Sequence, residues 1–241
     1  MEDHTWVAIV TIQVWLLPHN NISFDCLSKM ARRLPVYILI DTSGSMKGEP
    51  IESVKVGLSD MIASLRLDPY ALETVCVSII TFDKEVKQLL PLTELENLQL
   101  PNIDCPDSGP TLTGSALNML CDCYDKEVNT GTPEQKGDWM PLLFLLTDGK
   151  PSDIMDYNMA ISRIQKYPFT NIVACAAGPK AKPDSLKALT EDVFTLDSMD
   201  SSTFKKFFQW VTINVQQGGR TVGVSDRAEL APPPAEVNVV I

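Results

Sequence analysis

A run of seven largely apolar residues, Leu34-Pro35-Val36-Tyr37-Ile38-Leu39-Ile40, stops abruptly at Asp41-Thr42-Ser43-Gly44-Ser45. An uninterrupted apolar run of this length reads as a buried strand, and the Gly/Ser segment after it as a strand-to-helix turn. The turn places one carboxylate and two hydroxyls at the carboxyl end of a strand. In open α/β sheets that end is where ligands bind. All three groups offer hard oxygen atoms, which suit Mg²⁺ or Mn²⁺ better than a metal that prefers thiolates.

Two later segments complete the pattern. Pro141-Leu142-Leu143-Phe144-Leu145-Leu146-Thr147 is a second apolar strand and ends in Asp148-Gly149. Between them, Gly109-Pro110-Thr111-Leu112-Thr113-Gly114-Ser115-Ala116-Leu117 is a turn that leads into a helix and carries a hydroxyl at Thr111. Together these segments resemble the metal-ion-dependent adhesion site (MIDAS) of von Willebrand factor type A (VWA) domains. The family pattern, Asp-x-Ser-x-Ser, then a distant Thr, then a distant Asp after a strand, maps onto Asp41, Ser43, Ser45, Thr111 and Asp148. The resemblance runs from about Ala31 to about Val215. It implies that the hydroxyls bind a divalent cation directly, while the aspartates act through water or by bonding the serines. It also implies an open coordination position that captures a Glu or Asp of a partner protein. Within the family, Phe144–Asp153 and the Pro-rich tail look most like the bacterial TerY-like proteins, intracellular members associated with tellurium-resistance gene clusters. Their expected partners are kinase- or phosphatase-like companions.

Individually these residues have plainer uses. Ser45 or Thr111 can cap a helix, and Asp148 can be a turn residue before Gly149. Ser152 and Asp153 lie close enough in sequence to Asp148 to tune the site, or to cap the helix that follows.

With 241 residues the chain can build one α/β domain with a large core. Strands alternating with amphipathic helices predict a doubly wound, mostly parallel sheet with helices on both faces and one short antiparallel edge strand. The helix after the metal loop buries Ile51, Val54, Leu58, Met61, Ile62 and Leu65. Val75–Phe82 is a core strand and Val86–Leu90 a shorter partner, joined by a turn at Asp83-Lys84. Residues 91–107 read as a long loop. Further helices fall at Ser115–Val128, Asp156–Gln165 and Ser185–Leu189, with strands at Asn171–Ala177 and Val193–Leu196. A last helix carries the stripe Phe204, Phe207, Phe208, Val211 and Val215 as core packing. The domain is placed at residues 30–216. Residues 217–241, with Ala231-Pro232-Pro233-Pro234-Ala235, read as an extended surface tail, either solvated or strapped along the domain.

Residues 1–29 are read as an extension or an over-called start, since Met30-Ala31-Arg32-Arg33 offers a start just ahead of the first core strand. The apolar stretch Trp6–Leu17 is twelve residues, against about 20 needed to span a bilayer. It lacks the basic flank of a secretory signal.

A net charge of −11 disfavours phosphate backbones as direct partners. The six cysteines, Cys26, Cys76, Cys105, Cys121, Cys123 and Cys175, are scattered, and Cys121-Asp122-Cys123 lacks zinc-ligand spacing. Unpaired thiols fit a reducing, cytoplasmic setting.

The expected function is therefore a non-enzymatic, metal-dependent interaction module with no nucleic-acid or membrane partner. Two alternatives are an Mg²⁺-dependent phosphohydrolase and a VWA adaptor of an AAA+ ATPase. The phosphohydrolase is disfavoured because Ser43 stands where a haloacid-dehalogenase-like Asp-x-Asp needs its second carboxylate. There is also no Gly-x-x-x-x-Gly-Lys phosphate loop. His4 and His19, the chain's two histidines, lie outside the domain and cannot complete a triad there.

Overall fold

The computed structural model describes residues 32–178, 181–221 and 229–240, with side chains in the last helix to residue 218. The N-terminal extension, both histidines, Cys26 and the alternative start lie outside the described residues. Seven strands form one sheet in the order β3-β2-β1-β4-β5-β6-β7. They are β1 (Leu34–Asp41), β2 (Val75–Phe82), β3 (Val86–Glu94), β4 (Leu142–Thr147), β5 (Asn171–Ala177), β6 (Asp192–Leu196) and β7 (Val237–Val239). Strands β2, β1, β4, β5 and β6 run parallel, and β3 and β7 pair antiparallel at the two edges.

Helices cover both faces. They are α1 (Glu49–Arg66), α2 (Pro69–Thr74), α3 (Thr113–Glu127), α4 (Ile154–Ile164) and α5 (Ser201–Thr221), with 3-10 turns at Gly44–Met46 and Pro183–Ala188. The alternation within β1 decides which helix each residue meets. Leu34, Val36, Ile38 and Ile40 face a core shared with α1 and α5, whereas Tyr37 and Leu39 face a core shared with α3 and α4. All the residues expected to line α1 are buried, as is the whole Phe204–Val215 stripe of α5.

Three elements differ from expectation, and the tail takes one of its two expected courses. β3 extends to Glu94, so Pro91 to Glu94, expected in the loop, lie in an edge strand. Pro91 is tolerated there because an edge strand leaves half of its N–H groups outside the ladder. The short helix α2 opens on Pro69, with the Asp68 carboxylate accepting the N–H groups of Tyr70 and Ala71. The last helix runs on to Thr221, past the domain end placed at residue 216. Part of the tail is strapped down as well. Ala231 takes a 2.8 Å bond from Trp210 Nε1 and gives one of 2.8 Å to Asn214. Glu236 pairs with Lys206, and Val237–Val239 then adds β7 to β6. No helix among the described residues is long and apolar enough to cross a membrane.

The crossing of α3 and α4 matters most for the site, because it fixes the loops that precede both helices. The helices touch backbone to backbone at Gly114, where a Cβ would stand 2.2 Å from the Tyr157 nitrogen. Asp153, just before α4, caps α3 and not its own helix. Its carboxylate accepts the N–H groups of Gly114 (3.1 Å) and Ser115 (2.8 Å) and the Ser115 hydroxyl (3.1 Å).

Two outcomes follow for stability. Gly114→Ala gains about 1 kcal/mol of helix propensity but meets immovable backbone, and overpacking costs typically 1–3 kcal/mol. Urea unfolding should therefore show a net loss. Asp153→Ala should lose roughly 0.5–2 kcal/mol, the usual worth of an N-cap, read as a lower urea midpoint at unchanged slope.

Candidate metal centre

The sheet order reverses between β1 and β4. The chain leaves β1 toward β2 on one side, and later returns through β4 on the other. A crevice opens at such a switch point, beyond the carboxyl ends of the two strands. Asp41 ends β1, and Asp148 follows β4 directly.

Asp41 is fully buried and held on both oxygens. Its Oδ1 accepts the Ser43 N–H at 2.8 Å, which curls the loop back on itself. Its Oδ2 accepts the Thr147 hydroxyl at 2.6 Å, a direct tie between β1 and β4. Thr147 Oγ1 in turn accepts the Gly149 N–H at 3.2 Å, which orients the segment carrying Asp148. Burial pushes the Asp41 carboxyl above the usual carboxylate range. The bonds from Thr147 and Ser43 oppose the rise, and the charge of buried Asp148 adds to it. Two desolvated carboxylates this close are stabilised by a cation between or beside them.

Two of the hydroxyls sit side by side, and the third comes from a different loop. Ser43 Oγ lies 3.3 Å from Ser45 Oγ, and Ser43 is buried while Ser45 is exposed. Thr111 is brought in from the opposite loop by a reciprocal clasp. Its N–H donates to Ser152 Oγ at 3.0 Å, and its carbonyl accepts the Ser152 N–H at 2.9 Å. Because the backbone makes both bonds, neither involves the Thr111 hydroxyl. A methyl placed on Gly149 would stand 3.2 Å from Thr111 Oγ1 and 3.9 Å from Asp41 Oδ2. The two oxygens therefore border one small space, which the glycine leaves open. Gly44 lets the Asp41 loop lie flat on this neighbour, since a Cβ there would reach 2.7 Å from the Asp107 carbonyl.

All five sequence-predicted residues are thus drawn to one end of the sheet: Asp41, Ser43 and Ser45 on one loop, Thr111 and Asp148 on two others. The donor set is oxygen only, with two carboxylates and three hydroxyls, and fits a hard divalent cation. No cluster of three or more His, Cys, Asp or Glu forms among the described residues. Three residues that bond to these loops have no single assignment from the sequence: Thr147 reads there as a strand end, and Ser152 and Asp153 as tuning or capping residues. Each acts through a bond to a loop tens of residues away, which no local spacing records.

Comparison with known proteins agrees with this architecture. Matrilin-1 of Bos taurus is 30% identical over 126 residues, which cover 51% of this chain and 22% of matrilin-1. Proximal thread matrix protein 1 of the mussel byssus, in a structure with a zinc-occupied MIDAS motif, superposes with a TM-score of 0.57 at 17% identity. That match covers 77% of this chain and 48% of the other. The ArnB paralog VWA2 from Sulfolobus acidocaldarius gives a TM-score of 0.55 at 17% identity, over 77% of this chain and 46% of that one. This chain therefore spans about half or less of each of these proteins, and the structural likeness speaks for fold. The family model described as von Willebrand factor type A domain matches residues 36–210. The chain belongs to the VWA family, whose members are interaction modules built around a metal-ion-dependent adhesion site.

Proposed function

We propose that this protein is a metal-dependent protein-interaction module. A divalent cation, Mg²⁺ or Mn²⁺, is held by Asp41, Ser43, Ser45, Thr111 and Asp148 and captures an acidic side chain of a partner. The observation that carries this is the pairing of two features: Ser43 and Ser45 hold their hydroxyls 3.3 Å apart on the Asp41 loop, and Asp41 and Thr111 border one small space. The hydroxyls are neutral, and two carboxylates at most balance the dication. A cation bound there keeps Lewis acidity for an incoming carboxylate. The chain's own residues do the rest: Ser43, Ser45 and Thr111 offer oxygens, Asp41 and Asp148 supply charge, and Thr147 holds Asp41 in place. Zinc occupies the motif in the structure of the byssus protein; the oxygen-only donor set here suits Mg²⁺ or Mn²⁺.

The surface beside the site supports binding of a protein. Ile154, Met155 and Met159 at the start of α4 are 64%, 81% and 60% exposed, next to Ser152 and Asp153 of the clasp. Grouped exposed apolar side chains of this kind mark interaction surfaces. The biological setting we infer is the cytoplasm, in a tellurium-resistance or stress-associated complex of the TerY-like kind. The free thiols of Cys76, Cys105, Cys121, Cys123 and Cys175 accord with a reducing compartment.

Two measurements test this. Mg²⁺ or Mn²⁺ at 100 times its Kd should stabilise the folded chain by about 2.7 kcal/mol, read as a rise in melting temperature that EDTA reverses. Ser43→Ala and Thr111→Ala should lose that rise while melting normally in EDTA. In affinity capture from lysate, a partner retained in Mg²⁺ should be lost in EDTA and lost with Ser43→Ala. Its identity, a kinase- or phosphatase-like companion or an AAA+ ATPase, then names the complex. A retained set indifferent to both changes would refute metal-bridged capture.

A further inference from the structure

Asp83, in the turn between β2 and β3, bonds to two of the three loops that carry the candidate ligands. Its Oδ2 accepts the Thr42 hydroxyl at 3.0 Å, and its backbone carbonyl accepts the Leu112 N–H at 3.2 Å. Its Oδ1 accepts the Glu85 N–H at 2.9 Å, which fixes the orientation of the carboxylate. Thr42 stands between Asp41 and Ser43, and Leu112 follows Thr111. Thr42 is buried, and its own N–H is spent on the Phe82 carbonyl at 2.9 Å. The bond to Glu85 is enough to close the hairpin turn. Those to Thr42 and Leu112 have no part in that closure, and each lands on a residue next to a candidate ligand.

We propose that Asp83 is a positioning residue of the metal centre. It holds the Asp41–Ser45 loop and the Thr111 loop at a fixed separation, so that hydroxyls from both meet one cation, and it does not itself touch the ion. This rests on the metal-site reading above. It adds that the affinity for the ion is set in part from the β2–β3 turn, through Thr42.

The test uses the full chain and Mn²⁺ alone, with free Mn²⁺ read by electron paramagnetic resonance and melting followed separately in EDTA. Asp83→Ala and Thr42→Val should each weaken Mn²⁺ binding roughly 10- to 100-fold, the usual effect of losing a partner that orients a ligand. Thr42→Val removes the bond and keeps the Asp83 charge, so a loss there reports positioning and not electrostatics. Thr42→Ser, which keeps the hydroxyl, should bind like wild type. The double variant should bind no more weakly than Asp83→Ala, because both changes cut one linkage. Wild-type affinity in Thr42→Val overturns the proposal. So do losses that multiply in the double variant, or weak binding that merely tracks a lower melting temperature in EDTA. If Asp83→Ala does not fold, Thr42→Val against Thr42→Ser decides alone. Wild-type protein that binds no Mn²⁺, or Ser43→Ala that binds it normally, overturns the metal-site reading itself and this proposal with it.

Discussion

The 2.6 Å hydrogen bond from Thr147 to Asp41 joins the ends of the two strands between which the sheet changes direction. A carboxylate with no exposed surface is costly to keep ionised unless charge-assisted bonds or a cation compensate. Here a hydroxyl from β4 and a backbone N–H from the loop each take one oxygen. That requirement ties together three things that are separate in the sequence. β1 and β4 must be neighbours in register. The loop after β1 must turn back sharply at Ser43. The segment after Thr147 must bring Gly149 and Asp148 alongside. Once these hold, Ser43 and Ser45 stand above a buried negative charge, and Thr111 has a place to approach.

The remaining bonds near the centre go from backbone or supporting side chains to other supports, while Ser43 and Ser45 bring their hydroxyls to each other at 3.3 Å. Ser152 grips Thr111 by its backbone, and Asp153 spends its carboxylate on the start of α3. Asp83 bonds to Thr42, the residue between two candidate ligands, and not to the candidates themselves. Such an arrangement pre-orients oxygen atoms without saturating them, as a site that binds and releases an ion requires. The close contact at Gly114 carries this order into the body of the fold, because α3 and α4 cannot slide without breaking the clasp.

The legibility of these parts in the sequence follows from the range of the forces involved. Asp41, Ser43 and Ser45 could be found because one turn carries all three, directly after a strand whose apolar run is unmistakable. Thr111 and Asp148 could be placed because each adjoins its own strand or helix signal. The α1 and α5 stripes were readable since burial imposes a period that composition records. Asp83, Thr147 and Ser152 act across separations of 41 to 106 residues. Their local sequence is that of ordinary turns and strand ends. The three-residue strand β7 was hidden for a related reason. Val237-Asn238-Val239 has too few residues for a pattern, and its pairing depends on the free edge of β6 and on Trp210 reaching Ala231. The last helix also runs beyond the domain end placed at residue 216, through two glycines, and Gly218 packs close to Leu142, 3.1 Å from where its Cβ would be.

On the proposed reading, charge explains why a module of this kind would need its ion. The chain carries a net charge of −11, and an acidic partner approaching it is repelled at long range. At physiological ionic strength that repulsion is screened beyond about 8 Å, so what decides capture is the field inside the crevice. Without a cation the field there is that of Asp41 and Asp148, which rejects a third carboxylate. With a dication the sign reverses locally, while the rest of the surface stays acidic. Recognition as proposed would then be conditional on the metal, and specific for a carboxylate placed accurately enough to reach it. The neutral hydroxyls make that reversal possible: were Ser43 and Ser45 carboxylates, the ion would be over-neutralised, and the attraction for a partner's acid would vanish.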